Sequence, residues 1–174
     1  SAVLEYKLVG LEGALKKNAR AWLGSPPGTT QDRANFLVTY QQRLEDSLKA
    51  LGYYNPEINT SLKRTEPVWS LTIDVVVGEP VIINKISLEV KGAALEDPAF
   101  QTLLKSPPFK TGDVFNHGDY ERFKNRLLTL GQERGYFDAH FAERKVTVNI
   151  ESNQADIDLH YDSGQRFRVG AIEY

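Results

Sequence analysis

Leu4, Tyr6 and Leu8 alternate with Glu5 and Lys7, a period of two that buries one face of a strand. Leu11, Ala14, Leu15, Asn18, Ala19, Trp22 and Leu23 then recur at the three-and-four spacing of a helical stripe, and Pro26-Pro27 forbids its continuation. A second helix carries Phe36, Tyr40, Leu44, Leu48 and Leu51 on one side. Gly52 follows where a left-handed cap needs no Cβ, with Tyr53 behind it. Glu57 to Lys63 reads as a polar, weakly patterned strand. Trp69, Leu71, Ile73, Val75 and Val77 alternate cleanly with Ser70, Thr72 and Asp74, as a central strand does.

The same order returns. Ile82, Ile86, Leu88 and Val90 point one way along a strand, and Asp97-Pro98 supplies an N-cap with proline at the first helical position. Asn116 caps the next helix, which buries Tyr120, Phe123, Leu127 and Leu130 and ends before Gly135-Tyr136. Phe137 to Ile150 is a long strand whose apolar phase moves from odd positions (Phe137, Ala139, Phe141) to even ones (Val146, Val148, Ile150). That change predicts a bulge between Ala142 and Lys145. Ala155, Ile157, Leu159 and Tyr161 face inward on the last strand, with Asp156, Asp158 and His160 outward.

These two passes are one unit repeated. Leu23-Gly24-Ser25-Pro26-Pro27 matches Leu104-Lys105-Ser106-Pro107-Pro108, Leu51-Gly52-Tyr53-Tyr54 matches Arg134-Gly135-Tyr136-Phe137, and Gly78-Glu79-Pro80-Val81 matches Gly164-Gln165-Arg166-Phe167. Offsets growing from 81 to 86 are what loop insertions in a duplicated unit produce. The expected fold class is α+β: two tandem β-α-α-β-β domains, each with two helices on one face of a three-stranded sheet. The expected divisions are 1–78, 79–163, and 164–174 as the start of a third unit, where Ile172 and Tyr174 lack a sheet of their own.

Charge adds little. There are 21 basic and 23 acidic residues in 174, nine and eight of them up to Gly78 and twelve and fifteen from Glu79 on, so no basic footprint for nucleic acid is present. No apolar run reaches the roughly 18 residues that cross a bilayer. Without Cys there are no thiol nucleophiles, disulfides or zinc thiolate sites.

The search for chemistry is mostly negative. The phosphate loop, the dinucleotide fingerprint, G-x-S-x-G and H-E-x-x-H are all missing, which argues for no catalysis and no cofactor. His140 and His160 on neighbouring strands, near Asp138 and Asp158, permit a metal site, and Asp156, Asp158 and Asp162 a calcium cluster; both read better as solvated strand positions. In each Gly-Tyr-aromatic element, Gly52-Tyr53 and Gly135-Tyr136 are structural, one ring entering the core beneath the helix end.

What remains is backbone. A three-stranded sheet has two edges, and the weakly patterned strand of each unit is the candidate for one of them, able to accept an extended partner. The candidate partner-binding residues are Glu57, Ile58, Asn59, Thr60, Ser61 and Leu62 in the first unit, and Ala139, His140, Phe141, Val146 and Val148 in the second. Lys63-Arg64 and Glu143-Arg144-Lys145 can instead blunt these edges against pairing.

The whole pattern, with Gly-Tyr-Tyr/Phe after the second helix and a repeat of about 83 residues, resembles the polypeptide-transport-associated (POTRA) domains of the Omp85 superfamily. Gly10 to Asn18 and Leu48 to Tyr54 are similar to the first such domain of the TamA branch. Asn116 to Lys124, Arg134 to Asp138, and Asp156 through Arg168 are similar to the second. The resemblance implies a periplasmic module of an outer-membrane assembly factor, preceding a membrane-embedded barrel that this chain lacks. It implies docking to a TamB-like inner-membrane protein, to unfolded outer-membrane or autotransporter polypeptides, or to both. A passive spacer, or a POTRA module of another Omp85-type factor, is the alternative.

Overall fold

The structure, a computed structural model, describes residues 1–168 and the backbone of 171–173. The chain divides into two compact units, Ser1–Pro80 and Val81–Tyr174. The fold class expected from the sequence is the one found: two α+β units, each with a three-stranded sheet.

In the first unit, β1 (Leu4–Val9) is followed by α1 (Gly13–Leu23), α2 (Thr30–Ala50), β2 (Glu57–Lys63) and β3 (Trp69–Val76). The sheet order is β1-β3-β2, with β1 parallel and β2 antiparallel to the central β3. Leu71, Ile73 and Val75 bury the helix side of β3, against Leu4, Leu8, Ala19, Leu23, Phe36, Leu44 and Leu48. The helical stripe on α1 is narrower than its spacing predicts. Ala14 is exposed and Trp22 is 44% exposed, while Ala19 and Leu23 are buried and Leu15 packs partly buried against the core. Thr29 caps α2 through its hydroxyl, which accepts from the Asp32 N–H at 3.0 Å.

In the second unit, β4 (Ile82–Lys91) leads through a 3₁₀ turn at Ala93–Glu96 to α3 (Pro98–Lys105), α4 (His117–Glu133), β5 (His140–Asn149) and β6 (Gln154–Asp162). The order β4-β6-β5 repeats that of the first sheet. Asp97 and Asn116 cap α3 and α4 as expected. The bulge in β5 falls at Ala142, between Phe141 and Glu143. A second bulge, at Asn84, was not expected: it reverses the phase of β4, so Ile83 is buried where alternation selected Ile82. Past Asp162, β7 (Arg166–Arg168) and β8 (Ala171–Glu173) form an antiparallel pair. The Ile172 and Tyr174 side chains lie outside the described residues.

Gly52 and Gly135 have φ of +98° and +89°, each just past the end of a long helix. The ring behind each behaves differently. Tyr136 is buried while Phe137 is 58% exposed and stacks on Phe167 at 6.0 Å. Tyr53 and Tyr54 are both half-buried.

Candidate functional site

Both weakly patterned strands are sheet edges. Which of their amides face outward follows from bonds on the far side of each central strand. The Trp69 N–H donates to Val3 O at 3.0 Å, so the odd residues of β3 turn their backbone groups toward β1 and the even ones toward β2. The partners of Ser70, Thr72, Asp74 and Val76 are Lys63, Ser61, Asn59 and Glu57. Among the candidate residues, Glu57, Asn59 and Ser61 therefore bond within the sheet. Ile58, Thr60 and Leu62 present N–H and C=O to the open side.

The same reasoning fixes β5. The Ser163 N–H donates to Lys91 O at 2.9 Å, so the odd residues of β6 face β4 and the even ones face β5. Glu143, Lys145, Thr147 and Asn149 pair inward, and Arg144, Val146 and Val148 turn outward. Across the extra residue Ala142 the phase changes: His140 pairs inward with Asp162, and Phe141 turns out. Ala139 precedes the strand, its N–H donating to Tyr136 O at 3.3 Å. In the outward trio on β5 Val146 and Val148 are half-buried and Arg144 is exposed, whereas on β2 Thr60 is exposed between half-buried Ile58 and Leu62.

The opposite edges were not singled out by pattern, and they differ. Residues 112–115 cover the start of β4: Ile83 donates to Asp113 O at 2.8 Å and accepts from the Gly112 N–H at 2.8 Å, and the Phe115 N–H donates to Val81 O at 2.8 Å. On β1 the outward residues are Leu4, Tyr6 and Leu8, and among the described residues no other strand pairs with them. Beside this edge Tyr6, Arg20, Ala21, Gly24, Ser25 and Pro26 line a groove of about 450 Å³.

His140 and His160 have different partners. His140 is exposed, its Nδ1 3.3 Å from Asp138 O. His160 places Nε2 at 2.8 Å from Ser87 Oγ and Nδ1 at 3.4 Å from Glu89 Oε2, on the sheet face away from the helices. That spacing matches a nucleophile, base and acid. The Ser87 and His160 amides, however, are turned into the ladders with β6 and β5, so neither is available to an oxyanion. Among the described residues no three His, Cys, Asp or Glu side chains come together as a metal site.

One buried polar network was not legible in the pattern. Asp97, 5% exposed, accepts from Arg134 Nε at 2.8 Å and from the Tyr136 hydroxyl at 2.7 Å, besides the Ala99 N–H at 3.0 Å. Burial alone raises a carboxyl pKa, but these donors outweigh it and hold Asp97 at about 2. Burial, and then the bond to Asp97, push Tyr136 up to about 12.

Comparison with known proteins gives two family matches. Residues 5–77 match the family described as POTRA domain TamA domain 1. Residues 81–164 match the POTRA model described as surface antigen variable number repeat. Among solved structures, Haemophilus influenzae BamA POTRA3-5 aligns with a TM-score of 0.50 at 20% identity, over 95% of this chain and 66% of that one. BamA from Haemophilus ducreyi lacking POTRA domains 1-3 aligns with a TM-score of 0.50 at 16% identity, over 93% of this chain and 29% of that one. This chain thus spans under two thirds of either structure, and at these identities the likeness is one of fold. Among the described residues no helix is long and apolar enough to cross a membrane.

Proposed function

This chain belongs to the POTRA family, and from that membership we propose that it is a non-catalytic module of an Omp85-type factor that binds extended polypeptide by strand addition at β2 and β5. Its setting in this reading is the periplasmic side of a Gram-negative outer membrane. Its partners there are a TamB-like inner-membrane protein and unfolded outer-membrane or autotransporter chains. The observation that carries the reading is the row of outward backbone groups at Ile58, Thr60 and Leu62 and at Arg144, Val146 and Val148. Main-chain pairing binds with little demand on sequence, which suits a module serving many extended clients.

The test removes one donor per edge. Because the Thr60 and Val146 amides face outward, proline at either position leaves the ladder to the central strand intact while deleting a donor to the incoming strand. A Thr60→Pro, Val146→Pro double variant should stay folded and lose capture of a TamB-like partner or of clients, whereas Thr60→Ala, Val146→Ala keeps it. Equal capture by both would eliminate edge pairing and make the helix faces the leading binding surface; no capture by either or by the unaltered chain would leave a passive spacer as the better account.

A further inference from the structure

We infer that Arg33 and Arg64, gathered over the Trp69 ring, form a binding site for a phosphate oxyanion, free or carried by an ester. The site takes an ion rather than a strand and uses no edge amide, so it goes beyond the strand addition proposed above.

Burial without a counterion sets Arg33 apart. It lies in the first turn of α2, half-buried, with its Cζ 3.7 Å from the centroid of the Trp69 ring. Among the described residues its side chain makes one hydrogen bond, Nη1 donating to Val3 O at 3.3 Å. A guanidinium has five N–H donors, so most of its capacity is unused. The half-buried arginine of the second unit is differently supplied: Arg134 holds the Asp97 carboxylate at 2.8 Å. Arg33 has no such partner, since among the described residues every ion pair lies in the second unit. Taking a cation even partly out of water is costly unless an anion meets it, and contact with a ring repays only part of that cost.

Arg64 brings a second cation to the same ring. It follows β2, is exposed, and places its Cζ 5.4 Å from the Trp69 centroid. Glu66, the acid bonded at this ring, accepts from the Trp69 Nε1–H at 3.2 Å and pairs with neither arginine. Two forks on one ring decide the chemistry of the ion. A guanidinium grips a carboxylate or a phosphate through two parallel N–H···O bonds. A carboxylate offers one edge for that grip and is spent on the first arginine, whereas a tetrahedral phosphate keeps further oxygens for a second. Arg33, stacked and bonded to Val3, is the anchored member. Arg64, on an exposed and flexible stem, closes on the ion.

The experiment uses the whole 174-residue chain carrying Trp22→Phe, which leaves Trp69 as the single indole. Sodium phosphate is titrated at constant ionic strength against sodium chloride, and the indole and arginine Nε–H signals are followed by NMR. Phosphate should move the Trp69 and Arg33 signals along a saturating curve in the low-millimolar range, with chloride inert. Arg64→Gln, at an exposed position, should weaken binding about tenfold. Arg33→Lys, which keeps the charge but loses the fork, should weaken it at least as much. Amide signals of β3 report whether each variant stays folded, and Arg64→Gln decides if Arg33→Lys does not. Competition with glycerol phosphate and with phosphatidylcholine vesicles containing phosphatidylglycerol separates the sources: displacement by vesicles assigns the site to a lipid headgroup, displacement by glycerol phosphate alone to a soluble ester, and displacement by neither to the free ion. Acetate binding as tightly as phosphate would overturn the inference, since the occupant would then be a carboxylate. So would a response that rises linearly with phosphate, which marks an adventitious ion only, or an Arg64→Gln curve that overlays that of the starting chain.

Discussion

The two units share an order of strands and a pair of helices, yet they close their sheets differently. In the first, α1 and α2 are joined by residues 24–29, which meet the β1 edge through Pro27 O, accepting from the Val3 N–H at 2.9 Å, and Gly24 O, accepting from the Tyr6 hydroxyl at 2.6 Å, without forming a ladder along the strand. In the second, α3 is shorter and residues 106–116 join it to α4. That connection is long enough for residues 112–115 to bond along the start of β4. The polar interior differs in the same way. The first unit fixes α1 to α2 by one neutral bond, Asn18 Nδ2 donating to Ser47 O at 2.8 Å. The second fixes the start of α3 to the end of α4 by a buried carboxylate, Asp97, with Arg134 and Tyr136. A common topology therefore fixes which strands are edges, while the helix connection decides how the edge beside it is closed.

The largest expected effect comes from breaking that carboxylate network. Asp97→Ala leaves the Arg134 guanidinium and the Tyr136 hydroxyl without their buried acceptor and removes a helix cap, at a cost of about 3–5 kcal/mol. Hydrogen exchange should show the loss in the second unit's amides and not in the first's. Acid should do the same by degrees. The Asp97 pKa is lower folded than unfolded, so its contribution is complete above about pH 4 and fades as the pH falls toward 2, for roughly 2 kcal/mol. Tyr136 has the opposite sense: its pKa is raised on folding, and its contribution is lost as the pH climbs from 10 to about 12. Equal acid sensitivity in the two units would break the comparison.

Periodicity revealed much of this fold because burial on one face is what periodicity records. The alternation in β3 and β6, the stripes of α2 and α4, and the phase change at Ala142 all have that origin. Asp97 shows where the signal stops. The Asp-Pro pair marks a helix start, but its burial depends on Arg134 and Tyr136, 37 and 39 residues away, and no local pattern carries that distance. Asn84 was hidden for another reason: a bulge of one residue between apolar neighbours leaves Ile82, Ile83 and Ile86 equally good core candidates. The candidate edges were visible as weak patterning, but which amides point outward needed the registers of both neighbouring strands.

A middle-sized effect tests how tightly the second unit is packed. A Cβ on Gly131 of α4 would lie 2.1 Å from the Tyr161 hydroxyl oxygen, which is buried with no hydrogen-bond partner in the structure. Gly131→Ala should therefore destabilise this unit by about 1–3 kcal/mol through overpacking. Tyr161→Phe removes the obstructing oxygen along with a buried unpaired group, and should be neutral or stabilise by up to about 1 kcal/mol. The double variant should regain most of what Gly131→Ala loses. If the two changes simply add in denaturant melts, the hydroxyl is not what Gly131 makes room for.

The smallest effect asks whether the units differ where they look alike. Thr29 and Asn116 cap the longer helix of each unit through a side-chain oxygen that accepts from the N–H three residues on, Asp32 at 3.0 Å and Asp119 at 3.2 Å. Both helices also carry that Asp in the first turn, where the dipole favours it. The caps are equivalent in geometry, so Thr29→Ala and Asn116→Ala should each cost about 1 kcal/mol, confined to amides of α2 and α4 respectively. Neither cap oxygen bonds into a network, unlike Asp97, whose carboxylate joins three donors across its unit. Matched costs in hydrogen exchange would trace the difference between the units to the buried carboxylate and the covered edge. A cost at Asn116 several times that at Thr29 would mean that the second unit depends more on its helix starts, and the contrast would then have to be drawn at the caps as well.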